Sequence, residues 1–266
     1  MFERVIMING VPRSGTSWLG EIINSNEDVK YKFQPFYSYI FRDISLEKAS
    51  LEEIHRFFVE LYNYNELYLD QILQRRKNII PNFKNKEKNP SVLVFKSVRK
   101  HYVLSNILEK IENVKVICIV RNPIDSLKSW ISTKMFSSNW IFENEWEYAQ
   151  SMSQFLPSHY FGFHKWKEGA ALFLYLSEKY PEKVMLVKYN ELANNCIEKT
   201  SEIFRFCELE MKQQTIDFIT ESQNKDIKHE NSVFKHRKNN YVEVTPKITD
   251  KIKNDLKGTV LEQFLG

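Results

Sequence analysis

The chain has 266 residues, 42% of them hydrophobic, with three cysteines and a formal net charge of +4. That length and apolar share can build a substantial core in one domain spanning residues 1–266. The mild positive charge, with no basic tail or basic helical stripe, fits a small anionic ligand and excludes a nucleic-acid-wrapping surface. The odd cysteine count, without metal-ligand or disulfide-framework spacing, points to a reducing compartment; with no apolar run of bilayer-spanning length, a cytoplasmic protein without stable membrane insertion is expected.

Residues 4–9 form a short apolar run of strand type, followed by Gly10, Val11, Pro12, Arg13, Ser14, Gly15, Thr16, Ser17 and Trp18. The glycines bracket a tight loop, and hydroxyl residues stand where a helix should begin, so the loop's amides are expected to hold an anion. Against the P-loop pattern G-x-x-x-x-G-K-S/T, Gly10, Gly15 and Ser17 fit, but Thr16 replaces the lysine and the cation has moved to Arg13. The spacing predicts a helix over 16–24 with Trp18, Leu19, Ile22 and Ile23 on one face. Residues 29–35 alternate like a strand and end in Pro35, which predicts an extended Gln34 at an edge opening toward the site.

Helical spacing of apolar residues covers about 50–73, with a possible break near Asn63. Residues 77–89 are polar and lysine-rich, and are expected to be a solvated, mobile loop whose charges need no ligand. Apolar strands follow at 91–96 and 115–120, separated by a helical stretch at 102–111, which implies a parallel pair. Ligands of parallel sheets sit beyond the C-terminal strand ends, where Lys96, Arg121 and the Gly10 loop all fall. Asn122 as N-cap, Pro123 at the first helical position and Asp125 in the first turn start another helix, with Ser129 two turns in. This strand ends in arginine rather than a magnesium-binding acid, so the site reads as metal-independent and doubly cationic. Further helices are expected at 145–154, 165–179 and 198–206, with a strand at 184–189. Residues 224–241 concentrate lysine, arginine and histidine, including Lys238, and read as a solvated basic loop or a phosphate-closing flap before a last helix capped near Thr249. The fold class is α/β: a P-loop-like three-layer sandwich with a central, mostly parallel sheet flanked by helices.

The motifs Gly10-Val11-Pro12-Arg13-Ser14-Gly15-Thr16 and Val120-Arg121-Asn122-Pro123 with Ser129 resemble those of the sulfotransferases that use 3′-phosphoadenosine 5′-phosphosulfate (PAPS), releasing adenosine 3′,5′-bisphosphate (PAP). The likeness is greatest to the carbohydrate and tyrosylprotein branches, and it extends more weakly to residues 95–99 and to Val187-Lys188-Tyr189-Asn190-Glu191-Leu192. It implies that the first motif, with Arg13, Ser14, Gly15, Thr16, Ser17 and Trp18, cradles the 5′-phosphosulfate, and that Arg121 and Ser129 bind the 3′-phosphate. Tyr189 and Lys238 join the nucleotide-binding set. Arg13 and Lys96 are then the candidates for stabilising charge during sulfuryl transfer, without a metal, to a hydroxyl-bearing small molecule or glycan acceptor. The resemblance also exposes a departure. Gln34 stands where these branches carry a glutamate base, Val98 where other members carry a histidine, and His101 comes a few residues late. The base is therefore open among His101, which its place at a helix start puts on the surface unless it swings in, an acid such as Glu66 or Asp70, and a Gln34 that only positions the acceptor; a protein that binds nucleotide without transfer is the remaining alternative.

Overall fold

The computed structural model describes residues 2–131, 142–149, 156–225, 232–234 and 243–266. Five strands form one sheet: β1 (Arg4–Asn9), β2 (Val29–Phe33), β3 (Val92–Ser97), β4 (Val114–Val120) and β5 (Val184–Lys188). Their order is β2-β3-β1-β4-β5, and every neighbouring pair is parallel. The parallel pair expected of β3 and β4 is thus corrected. Both run the same way, but β1 lies between them, because β1 is apolar on both faces, with Val5 to Ile8 all buried, and so takes the centre.

Alternation along the strands splits the core into two layers. Val5, Met7, Leu93, Phe95, Val116 and Cys118 face one side, and Ile6, Ile8, Val92, Val94, Ile117 and Ile119 face the other. The helices in chain order are α1 (Thr16–Asn24), α2 (Leu51–Asn63), α3 (Ile72–Arg76), α4 (Leu104–Lys110), α5 (Pro123–Ile131), α6 (Phe142–Glu145), α7 (Phe163–Lys179), α8 (Tyr189–Asn194), α9 (Cys196–Phe206), α10 (Gln213–Asn224) and α11 (Pro246–Leu256). Buried residues of α2, α4, α5, α7 and α11 fill the first layer, while those of α1, α9 and α10 fill the second. The architecture is the expected helix-flanked parallel sheet. Among the described residues no helix is long and apolar enough to cross a membrane, and the three cysteines are buried and unpaired.

Several local expectations change. Gln34 is not extended; its φ of 45° and ψ of 60° are left-handed, because the chain turns at once from β2 into the 3-10 turn Pro35–Tyr37 and the following proline disfavours the right-handed alternative. The helix expected to break near Asn63 does end there, after a capping box between Ser50 and Glu53. The 77–89 loop is anchored rather than free. Ile79, Ile80 and Pro81 are buried, Phe83 is half-buried against Phe218, and the Lys86 ammonium donates to the carbonyls of Asn24, Asn26 and Val29, although the rest of the loop is exposed. Tyr189 begins α8 instead of extending β5. The last helix is capped at Thr245, a turn earlier than Thr249, since Pro246 is suited to the first helical position. Half of the helix expected at 145–154 lies outside the described residues, and in its described half Glu145 ends α6 while 146–149 are turn and coil. The expected basic loop at 224–241, Lys238 included, also falls mostly outside them.

Candidate active site

The register aligns Asn9 with Ser97 and with Cys118, so the ends of β1, β3 and β4 lie side by side and release the Gly10 loop, Lys96 and Arg121 at one sheet edge. Both loop glycines are required. A side chain on Gly10 would meet the Ile119 carbonyl at 2.8 Å, and Gly15, at φ +92°, has the Tyr189 ring 2.6 Å from where a Cβ would stand. Gly15 is also the N-cap of α1, and no side chain caps that helix start, which leaves its first amides and the positive end of its dipole turned toward the loop. The loop is fixed from behind by the Trp130 indole, which donates to the Pro12 carbonyl at 3.0 Å.

Lys96 is 2% exposed, and its Nζ lies 2.8 Å from Ser17 Oγ, 3.3 Å from Thr16 Oγ1 and 4.5 Å from the centre of the Phe33 ring. Burial, helped by the nearby Arg13 charge, pulls its pKa down to about 7. Arg13, at φ 70°, turns its Nε onto Ser129 Oγ at 3.0 Å, and Arg121 Nη1 donates to the Arg13 carbonyl at 3.2 Å. The two motifs recognised in the sequence therefore touch. The Arg121 guanidinium lies 4.6 Å over Tyr189, which also meets Trp18 edge-on at 6.4 Å, and the Trp18 indole donates to Ser222 Oγ. Among the described residues neither Lys96 nor Arg121 has a carboxylate partner. Two other acids are committed elsewhere, the buried Glu21 to Arg75 at 2.9 Å and the half-buried Asp70 to Lys32 at 2.8 Å. A cation at a helix N-terminus, with a second cation beside it and no counter-ion, is unfavourable until an anion completes it.

A profile described as the sulfotransferase domain matches residues 3–262. The chain belongs to the sulfotransferase-domain family. A search of the curated proteins finds no match. Among solved structures, a mouse sulfotransferase, SULT7A1, complexed with PAP is similar at 14% identity and a TM-score of 0.55, covering 100% of this chain and 88% of its own. A sulfotransferase domain from the Synechococcus PCC 7002 olefin synthase is similar at 15% identity and a TM-score of 0.50, covering 82% and 77%. A retinol dehydratase in complex with retinol and PAP is similar at 12% identity and a TM-score of 0.53, covering 98% and 83%. At such identities the likeness establishes the shared α/β fold.

Within this family member the sequence-predicted residues divide sharply. Arg13, Ser14, Gly15, Thr16, Ser17, Trp18, Lys96, Arg121, Ser129 and Tyr189 are brought together by the contacts above. Gln34 sits at the end of β2, beside Phe33, which covers Lys96, and its amide has no proton-accepting chemistry. His101 is not the surface residue expected of a helix start. It is fully buried, with Nδ1 3.4 Å from Asn9 Oδ1 and its ring 4.3 Å from Tyr160 and 4.9 Å from Phe173, and burial lowers its pKa to about 3. A neutral imidazole locked beneath the loop is a packing group, because its neighbours form an aromatic pocket that the sequence scatters over three elements. Asp70 is likewise corrected as a base, since Lys32 and the Glu66 amide occupy both its oxygens.

Among the described residues, five buried polar atoms at or beside the two motifs lack any partner: Asn9 Nδ2, Ser14 Oγ, His101 Nε2, Ser126 Oγ and Arg121 Nε. Unsatisfied donors at such a place fit a ligand with several acceptor oxygens. Ser126 was missed from sequence, although its position one turn before Ser129 puts both on one face of α5. Among the described residues no group of three or more His, Cys, Asp and Glu is placed to hold a metal ion.

Proposed function

We propose that this chain is a PAPS-dependent sulfotransferase acting without a metal on an acceptor hydroxyl, that of a saccharide or glycolipid by its motif resemblance. The observation that carries the reading is the junction of the two motifs: Arg13 Nε on Ser129 Oγ, and Arg121 on the Arg13 carbonyl, around donors that have no protein partner. PAPS, when bound, supplies an activated sulfuryl group on a nucleotide phosphate. The protein's own part is electrostatic and positional. The Gly10 loop and the α1 amides receive the 5′ end, and Lys96, steadied by Ser17 and Thr16, sets a buried positive charge where negative charge is redistributed. Arg121, Ser129 and Ser126 select a 3′-phosphate, which distinguishes this nucleotide from ATP. Trp18 and Tyr189 offer aromatic surface to the base.

The test is titration with PAP and with ATP, each with and without Mg²⁺, followed by transfer from labelled PAPS onto pooled glycans and small alcohols. Tight, metal-independent binding of PAP with labelled product is expected. Stronger binding of ATP with Mg²⁺ would point to a P-loop kinase and overturn the assignment. A second reading, a nucleotide binder without transfer, is motivated by Gln34 in the place of an acid. PAP binding without any labelled product, together with transfer gained by Gln34→Glu, would favour it.

A further inference from the structure

We infer that Arg99 is the acceptor-side anchor of this site and selects acceptors that carry an anionic group, a carboxylate or an acidic ester, besides the hydroxyl that is sulfated; the inference rests on the sulfotransferase reading. Arg99 follows β3 three residues after Lys96, on the same sheet edge. Its backbone is fixed on both sides, because Ser97 Oγ accepts from the Arg99 amide and donates to the Arg99 carbonyl, and residue 99 forms an isolated antiparallel bridge with residue 159. Its guanidinium lies 4.7 Å over the Tyr37 ring and, among the described residues, makes one hydrogen bond, from Nη2 to Ser158 Oγ at 3.0 Å.

The rest of that fork is unused. Nε is buried without a partner, and no carboxylate among the described residues pairs with it. An arginine so placed is neither a surface solubiliser nor a fold-forming ion pair. Its planar donors, stacked on an aromatic ring, are the arrangement that receives two oxygens of one acid.

The surroundings describe the remainder of the acceptor. Tyr37 and Tyr68 both feel the Arg99 charge, and Tyr68 packs edge-on at 5.6 Å against Phe33, whose ring covers Lys96. Aromatic rings thus flank both the anchor and the transfer lysine. Outside it, Tyr39, Ile40 and Leu67 are exposed apolar residues on the two segments that carry Tyr37 and Tyr68, an apolar rim consistent with a ring or lipid body. Glu66 adds its own influence on Tyr68 and has a buried Oε2 without a partner, an acceptor oxygen suited to a hydroxyl. Acid at Arg99, hydroxyls toward Glu66 and Lys96, and an apolar body on the rim together specify the class.

The experiment measures equilibrium binding, in saturating PAP, of three matched pairs: 3-(4-hydroxyphenyl)propionate and its amide, methyl glucuronide and methyl glucoside, and 16-hydroxyhexadecanoate and its amide. In at least one pair the acid is expected to bind about ten-fold more tightly or better. Arg99→Gln should level that pair while leaving PAP affinity and the melting temperature unchanged, and Arg99→Lys, which keeps charge without the fork, should fall between. Equal binding within every pair, no binding of any probe, or a preference that survives Arg99→Gln overturns the anchor while the nucleotide reading stands. Failure of the native protein to bind PAP overturns that reading, and the anchor with it.

Discussion

Helix α1 has a lysine at each end, and the two do opposite things. At the C-terminal end, Lys86 Nζ lies 2.9 Å from the Asn24 carbonyl and 2.8 Å from that of Asn26, where the helix dipole is negative and backbone oxygens would otherwise lack partners. At the N-terminal end, Lys96 faces the positive pole, meets two hydroxyls and the Phe33 ring, and is brought down to about 7 by burial and by Arg13. The first cation is where a fold wants one. The second opposes the fold and makes sense only for a ligand that brings negative charge. Position relative to a helix dipole, rather than residue type, separates the structural lysine from the one proposed to act on the ligand.

Exchanging each for a neutral residue of similar length breaks the comparison if it is wrong. Lys96→Met is expected to reduce transfer from PAPS by at least about 100-fold, the scale on which a single preorganised donor acts. It should leave the ligand-free melting temperature the same or higher, because a desolvated cation is removed. Lys86→Met should destabilise by about 1–3 kcal/mol in denaturant unfolding, with PAP affinity untouched. A Lys96 variant that unfolds beside a Lys86 variant that does not would reverse the roles assigned here.

Arg121→Ala comes next, expected to weaken PAP binding by about 1.5–3 kcal/mol, at least ten-fold, with no matching loss for ATP. An unchanged affinity by calorimetry would take Arg121 out of the site. The pH dependence sharpens the same contrast through two opposite slopes. An unfolded Lys96 titrates near the ordinary 10.5 and the folded one near 7, so between those values the unfolded chain binds more protons and the ligand-free fold gains stability as pH rises. A bound anion raises the folded value. Nucleotide affinity is then complete below about pH 7 and declines as pH rises from there; Lys96→Met should flatten that affinity curve but only reduce the stability slope, because burial brings Lys86 to about 7 as well.

Much of this was legible in the sequence because the relevant signals are local. Gly10 and Gly15 bracket a loop whose strain and clearance only glycine meets, and α1 and β5 occupy the predicted residues to within one position. The strand order was not legible, since alternation says which face a residue takes but not that β1 would part β3 from β4. The conformation of Gln34 was missed for a related reason. A residue before proline reads as extended, and only the sharp descent from β2 into Pro35–Tyr37 forces it left-handed, at a cost on the order of 1–3 kcal/mol. His101 misled because helix starts are usually exposed, whereas here Tyr160 and Phe173 close over it from distant segments. Ser126 carries no motif and Arg99 only the end of the weak likeness at 95–99; what distinguishes them is a donor or hydroxyl left unmatched after the chain has folded.

The smallest expected effect is the most discriminating about how the two motifs cooperate. Ser129 Oγ accepts from Arg13 Nε, so Ser129 contributes either by meeting the 3′-phosphate itself or by setting the angle of Arg13. Ser129→Ala should lower PAP affinity only few-fold, about 0.5–1.5 kcal/mol, as expected for one neutral hydrogen bond. A double-mutant cycle with Arg13→Ala separates the two routes. If Ser129 works by orienting Arg13, its loss costs little once the guanidinium is gone, and the coupling equals nearly the whole single effect. If Ser129 meets the phosphate directly, the effects add within about 0.5 kcal/mol. The observed hydrogen bond predicts coupling, and additivity would mean that Arg13 leaves Ser129 when the nucleotide arrives.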